Sequence, residues 1–177
     1  MRTLTKEVTL SIVMIALGVV LSPTFNFPVG PTRAYPFQHM VNAISGIFLG
    51  PWYAFIIALV IGAIRNAFGT GTIFAFPGGI PGALVVGLIY RYIKKSDYVA
   101  FTEPVGTTIG ALISAILIAP FIGRTMPPLL GIGVQWALFI VYWLISSVPG
   151  CVLGFLVIKV LRRTGVAEAL LPEKVSR

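Results

Sequence analysis

The chain has 177 residues, 57% hydrophobic and 10% charged, with a mean hydropathy of +0.97. A soluble globular domain carries about 25% charged residues, so this composition cannot cover a water-facing surface, and it is too apolar for disorder. The net charge of +8 comes from 13 Lys and Arg against 5 Asp and Glu. Those basic residues are sparse and border apolar stretches, without the stripe that nucleic acid requires. One cysteine, Cys151, excludes an intrachain disulfide and a cysteine-based metal cluster. The remaining class is an all-α integral membrane protein, a single membrane domain over 1–177.

A membrane-crossing helix needs about 20 apolar residues, and six stretches qualify: 6–22, 37–50, 52–68, 77–93, 103–122 and 131–162. The first follows Arg2 and Lys6 but has no small-residue cleavage site before Pro23, so it reads as a span and not a signal peptide. The loop 23–36, PTFNFPVGPTRAYP, is longer than a turn and holds Arg33, Tyr35 and four prolines. Prolines lower the entropy lost on ordering, so this loop reads as a lid. Gly50-Pro51 separates the short second stretch from the third, making the pair either two spans or one re-entrant hairpin. Gly69-Thr70-Gly71-Thr72 follows the third, offering hydroxyls and backbone N–H groups to a small polar ligand or an anion. Phe76-Pro77-Gly78-Gly79 opens the fourth, and Pro149 predicts a kink in the long sixth.

Lys and Arg gather on the cytoplasmic side of short loops. With both termini inside, Arg2, Lys6, Arg91, Lys94, Lys95, Lys159, Arg162, Arg163, Lys174 and Arg177 are cytoplasmic, and only Arg33, Arg65 and Arg124 lie toward the outside. All five acids, Glu7, Asp97, Glu103, Glu168 and Glu173, fall at or beyond the cytoplasmic ends. The only histidine, His39, then lies about 20–30 Å from any carboxylate. That separation excludes a Ser-His-Asp triad and an intramembrane enzyme built on one. It also leaves no mid-membrane acid for a proton relay. No G-x-x-x-x-G-K-[ST] loop occurs, so the chain has no Walker-type ATP site.

Polar residues nevertheless converge near the outer end. Counting from Gly50-Pro51 at about 1.5 Å per residue, Asn42 lies roughly 12 Å above the turn, His39 about 16 Å, and Arg65 and Asn66 about 21–23 Å. Gln38, His39 and Asn42 share one helix face. Polar side chains in lipid turn toward one another or toward a wet cavity, so these residues either staple helices or line a pocket. Thr70, Thr72, Gln135 and Trp136 end at the same level. Trp136, Phe139, Ile140 and Trp143 form one stripe, in which Trp143 reads as packing and Trp136 as pocket. Arg124 reads as a solvated loop charge. Such a pocket suits a compact heterocycle, neutral or anionic because unpaired arginines repel a cation.

The blocks PFQHMVNAISGIFLGPWYAF at 36–55 and IGAIRNAFGTGTIFAFPGGIPGAL at 61–84, with ALGVVLSP at 16–23, resemble the ThiW-like substrate-binding (S) subunits of energy-coupling factor (ECF) vitamin transporters. The resemblance implies six helices with cytoplasmic termini and a vitamin site near the outer surface, closed by the loop after helix one. It also implies uptake of the thiazole precursor of thiamin, hydroxyethylthiazole, driven by a separate coupling protein and two cytoplasmic ATPases. On that reading ATP is used only by the partner subunits, and the location is a prokaryotic plasma membrane. Such subunits often carry Ala-xxx-Ala on helix one for docking; here Ala16 matches one position, Ile12 replaces the other, and Gly18 with Ser22 forms a displaced small pair. The rival readings are a stand-alone channel or facilitator, and an S subunit for another vitamin such as thiamin or biotin.

Overall fold

Every apolar stretch folds as helix. The computed structural model describes residues 2–29, 32–123 and 132–167, with side chains at all of these except 2, 3, 32 and 132–136. The helices are α1 (Arg2–Thr24), α2 (Pro36–Leu49), α3 (Pro51–Ala67), α4 (Ala75–Tyr92), α5 (Glu103–Ile113), α6 (Ala119–Phe121) and α7 (Ile132–Arg163). A 3-10 turn at Asp97–Thr102 leads into α5, and a π turn at Ser114–Ile118 joins α5 to α6. Among the described residues, three helices are long and apolar enough to cross a membrane, Leu4–Thr24, Asp97–Phe121 and Ala137–Arg163, and Pro51–Ala67 is a shorter apolar one. The chain is thus an all-α, multi-helix membrane protein. Among the described residues the only strands form a small antiparallel hairpin inside the lid loop, β1 (Phe27–Val29) and β2 (Thr32–Ala34), pairing Phe27 with Ala34 and Pro28 with Arg33.

The central helix of the bundle is a short one. With 14 residues, α2 is about 21 Å long, less than a hydrocarbon core. All of it except Phe37 is buried, and α1, α3, α4 and α7 pack around it. The helix is apolar apart from the face bearing Gln38, His39 and Asn42, and Val41, Ile44, Ile47 and Phe48 anchor the core here. The α2–α3 turn is made by Gly50 at φ +81, a conformation open to glycine, and Pro51 then starts α3 with its φ preset.

Small residues bring α4 and α5 into backbone contact. Gly106 and Gly110 of α5, a G-x-x-x-G pair, face the carbonyls of Pro81 and Pro77, where a Cβ would collide. Glu103 and Thr107 share that face at helical spacing, so Glu103 is carried inward against Gly82 of α4, where again a Cβ would collide with its carboxylate. This corrects the expectation that the fifth span begins at 103 with Glu103 at a cytoplasmic end. The helical run long and apolar enough to cross a membrane begins at Asp97, because Tyr98-Val99-Ala100-Phe101 extends the apolar run ahead of Glu103.

At the opposite end of the bundle from the hairpin, Asp97 pairs with Lys159 at 3.1 Å and Arg162 at 2.6 Å. Arg162 also donates to Tyr90 Oη at 2.8 Å, and Tyr53 Oη donates to Glu7 at 2.9 Å beside the Gly50 turn. α7 runs through Pro149 as one helix of 32 residues.

Candidate ligand-binding site

A cavity of about 100 Å³ lies between the hairpin, α2, the start of α4 and the N-terminal half of α7. Its wall combines Arg33, Tyr35, Gln38, His39, Arg65 and Thr72 with Phe74, Tyr142, Trp143 and Ser146. A cavity of about 150 Å³ accepts benzene, so this smaller one suits only a compact ligand. The aromatic side is continuous, Phe74 lying edge-on to Phe139 at 5.9 Å and Phe139 tilted on Trp143 at 6.4 Å. The hairpin is fastened over the cavity by the Tyr35 amide, which donates to Ser146 Oγ at 2.7 Å. Arg33 Nη1 donates to Asn26 Oδ1 at 2.8 Å across the same loop.

Arg65 is the largest fully buried side chain, at 1% exposure. Its guanidinium lies 4.2 Å from the Tyr35 ring centre, donates to Gln38 Oε1, and reaches the Thr70 carbonyl at 3.1 Å. No carboxylate pairs with it among the described residues, and Nε–H has no partner there. A buried cation left in this state favours an acceptor or an anion in the cavity.

Behind His39 lies a polar cluster that the sequence reading placed elsewhere. Glu103, with no exposed surface, receives His39 Nδ1 at 2.7 Å and Asn42 Nδ2 at 3.0 Å on one oxygen. Its other oxygen accepts from Thr107 at 3.0 Å and from Ser147, with the Cys151 thiol at 3.7 Å. Ser147 is at the midpoint of α7, about 22 Å from either end. The expected 20–30 Å between His39 and every acid is therefore wrong, and with it the argument that the bundle holds no interior carboxylate. The missed signals were the apolar run before Glu103, the G-x-x-x-G beside it, and the polar i, i+4 pair Ser147 and Cys151 within an apolar helix.

The other expected site residues divide. Arg33, Tyr35, Gln38, His39, Arg65 and Thr72 meet at the cavity. Asn42 instead turns to Glu103 and to the Gly79 carbonyl at 3.0 Å. Asn66 donates to Gly62 O at 2.7 Å and Thr72 O at 3.0 Å, tying the loop to α3. Thr70 contributes its carbonyl to Arg65, while its amide and that of Gly71 donate to Arg65 O, each at 2.9 Å. With Gly69 at φ +69 and its amide on Asn66 O, this is a Schellman end to α3. The N–H groups expected to hold an anion are thus used within the loop. Trp143, read as packing, stands in the cavity wall. Gln135 and Trp136 start α7 with side chains outside the described residues, as is all of Arg124. On α1, Ala16 is exposed, whereas Gly18 faces inward, where a Cβ would collide with Ile61. Gly18 therefore serves contact within the chain.

A small, half-aromatic cavity with a buried cation, set in a bundle of apolar helices, defines a membrane protein with a candidate small-molecule site. A family model described as thiamine-precursor transporter protein (ThiW) matches residues 8–164. The chain belongs to that family, a family of transporters, and is a multi-pass membrane protein. No curated protein and no solved structure matches it.

Proposed function

We propose that this chain is the substrate-binding subunit of an ATP-driven ECF importer and captures hydroxyethylthiazole in the cavity under the hairpin. The observation that carries the reading is the cavity itself: small, aromatic on the α7 side, with the Arg65 guanidinium and the His39 ring in its wall. A thiazole nitrogen is an acceptor and the hydroxyethyl group both donor and acceptor, which complements that lining. Family membership supports a thiamine precursor as cargo. In this reading all six long helices span the bilayer, the termini and the end bearing Arg91, Lys95 and Arg162 face the cytoplasm of a prokaryotic cell, and residues 23–36 form the lid. Arg33, Tyr35, Gln38, His39, Arg65 and Thr72 contact the ligand. Gln135 and Trp136 complete the mouth, and Asn42, Asn66 and Thr70 hold the contacting groups in place. The exposed face of α1 around Ala16 meets a coupling protein, and two cytoplasmic ATPases supply the energy.

The test is isothermal titration of the purified, detergent-solubilised chain with hydroxyethylthiazole, thiamin and biotin. Saturable binding of the thiazole alone, lost in Arg65→Ala, supports the reading. Binding of thiamin or biotin in its place redirects it to another vitamin. A second reading, a stand-alone facilitator, is favoured by the buried Glu103–His39 pair, since interior acid–histidine pairs recur in proton-linked carriers. Thiazole flux into liposomes holding this chain without ATPases is the outcome that selects it.

A further inference from the structure

The lone histidine of the chain touches both the cavity and the buried cluster. We infer that Glu103 is a positioning residue that keeps the proton of a neutral His39 ring on Nδ1, so that Nε2 meets the cavity as a hydrogen-bond acceptor for a ligand hydroxyl or N–H. This deepens the proposed function by naming the group that recognises the hydroxyl.

The argument begins with the carboxylate. The Thr107 and Ser147 hydroxyls and the Asn42 amide all aim donors at Glu103. Asn42 also donates to the Gly79 carbonyl, which fixes its amide with nitrogen toward the acid. A carboxyl ringed by donors is an ionised, acceptor-only group, so the proton on the 2.7 Å contact with His39 belongs to Nδ1. The partner of one ring nitrogen sets the state of the other. Nε2 has no hydrogen bond among the described residues, and His39 lines the cavity.

The groups around the pair are few and mostly uncharged. The hairpin presents Arg33 and Tyr35 to the cavity, and α3 presents Arg65. α7 adds Tyr142, Ser146, Ser147 and Cys151, while the Gly79 carbonyl of α4 accepts from Asn42. Arg65 lines the same cavity as His39 and has no carboxylate partner among the described residues. The four donors on Glu103 stabilise its charge without needing an imidazolium. An Nδ1–H ring with a bare Nε2 is the reverse of the form that a histidine side chain in water prefers, so the assignment is specific.

Because the sequence holds one histidine, nitrogen-15 NMR of histidine-labelled, ligand-free protein at pH 7.5 reads His39 alone. The expected spectrum has a protonated Nδ1 and an unprotonated Nε2. Ser147→Ala, which removes one donor and keeps the carboxylate, leaves that pattern in place. Glu103→Gln, whose amide can donate or accept, gives a mixture of the two neutral forms. Protonated Nε2 in the wild type, as the other tautomer or as imidazolium, overturns the inference, as does an unchanged pattern in Glu103→Gln. Should Glu103→Gln fail to fold, the wild-type spectrum decides. In a second arm, the wild type binds hydroxyethylthiazole about tenfold more tightly than its methyl ether, which cannot donate, and Glu103→Gln narrows that gap. Equal affinity for the two also overturns the inference. The spectrum needs no ligand, so a chain that shows the expected pattern yet binds no thiazole refutes the ligand assignment alone.

Discussion

Arg65 and Glu103 are two buried charges with opposite legibility. A guanidinium inside an apolar run is costly, and Arg65 was visible for that reason alone. Its contacts run in three directions, to Gln38, the Thr70 carbonyl and the Tyr35 face, a fork that a lysine ammonium cannot reproduce. Arg65→Ala and Arg65→Lys should therefore both weaken ligand binding by about tenfold or more, read by titration. Glu103 stands at the edge of an apolar stretch, preceded by only four apolar residues, so its sequence position reads as a helix end, and only the spacing of Gly106 and Gly110 points to its burial. Glu103→Ala strands His39, Asn42, Thr107 and Ser147 without their acceptor, and should lower stability by about 2–5 kcal/mol, seen as an earlier thermal transition. Gly82→Ala drives a methyl group into the same carboxylate and should cost about 1–3 kcal/mol in that measurement.

At the scale of elements, helix ends were the readable part. Gly50-Pro51 marks the α2–α3 turn, and Gly69 ends α3 because only a left-handed residue closes its last carbonyls. Gly69→Ala meets no neighbouring atom and pays only for its dihedral, about 1 kcal/mol. Gly106→Val should cost more, because its side chain meets the Pro81 carbonyl and pushes α5 from α4, displacing Glu103 as it does so. Thermal unfolding that ranks the two variants in the reverse order would falsify this account of the α4–α5 contact. Less readable was the role of α2, whose short apolar run looked marginal as a span. The length criterion assumes a helix facing lipid, whereas α2 is enclosed by four neighbours.

For the molecule as a whole, the basic residues Arg91, Lys95, Lys159 and Arg162 lie at one end and the cavity toward the other. The orientation this implies can be tested by thiol labelling, because the one native thiol, Cys151, has no exposed surface. In intact cells a membrane-impermeant maleimide should label Thr70→Cys at the cavity end, and should label Lys94→Cys only after permeabilisation. The opposite pattern would invert the proposed topology. Asp97, paired with Lys159 and Arg162 at the basic end, is partly solvated, so Asp97→Asn should change stability by about 1 kcal/mol or less and leave ligand affinity unaltered.

The sequence by itself determined the class, the helical segments and half of the cavity wall: 57% apolar composition forces the chain into lipid, glycine and proline punctuate the helices, and Gln38, His39 and Arg65 stand out by the cost of burying them. Tertiary structure decided which polar groups face one another. Gly82, Gly106 and Gly110 let α4 and α5 approach so closely that an acid at the head of one helix reaches the histidine of another, 64 positions away in the chain. Such a meeting depends on helix rotation and separation, which arise from packing between segments, so the G-x-x-x-G spacing permits a close approach without naming the partner helix.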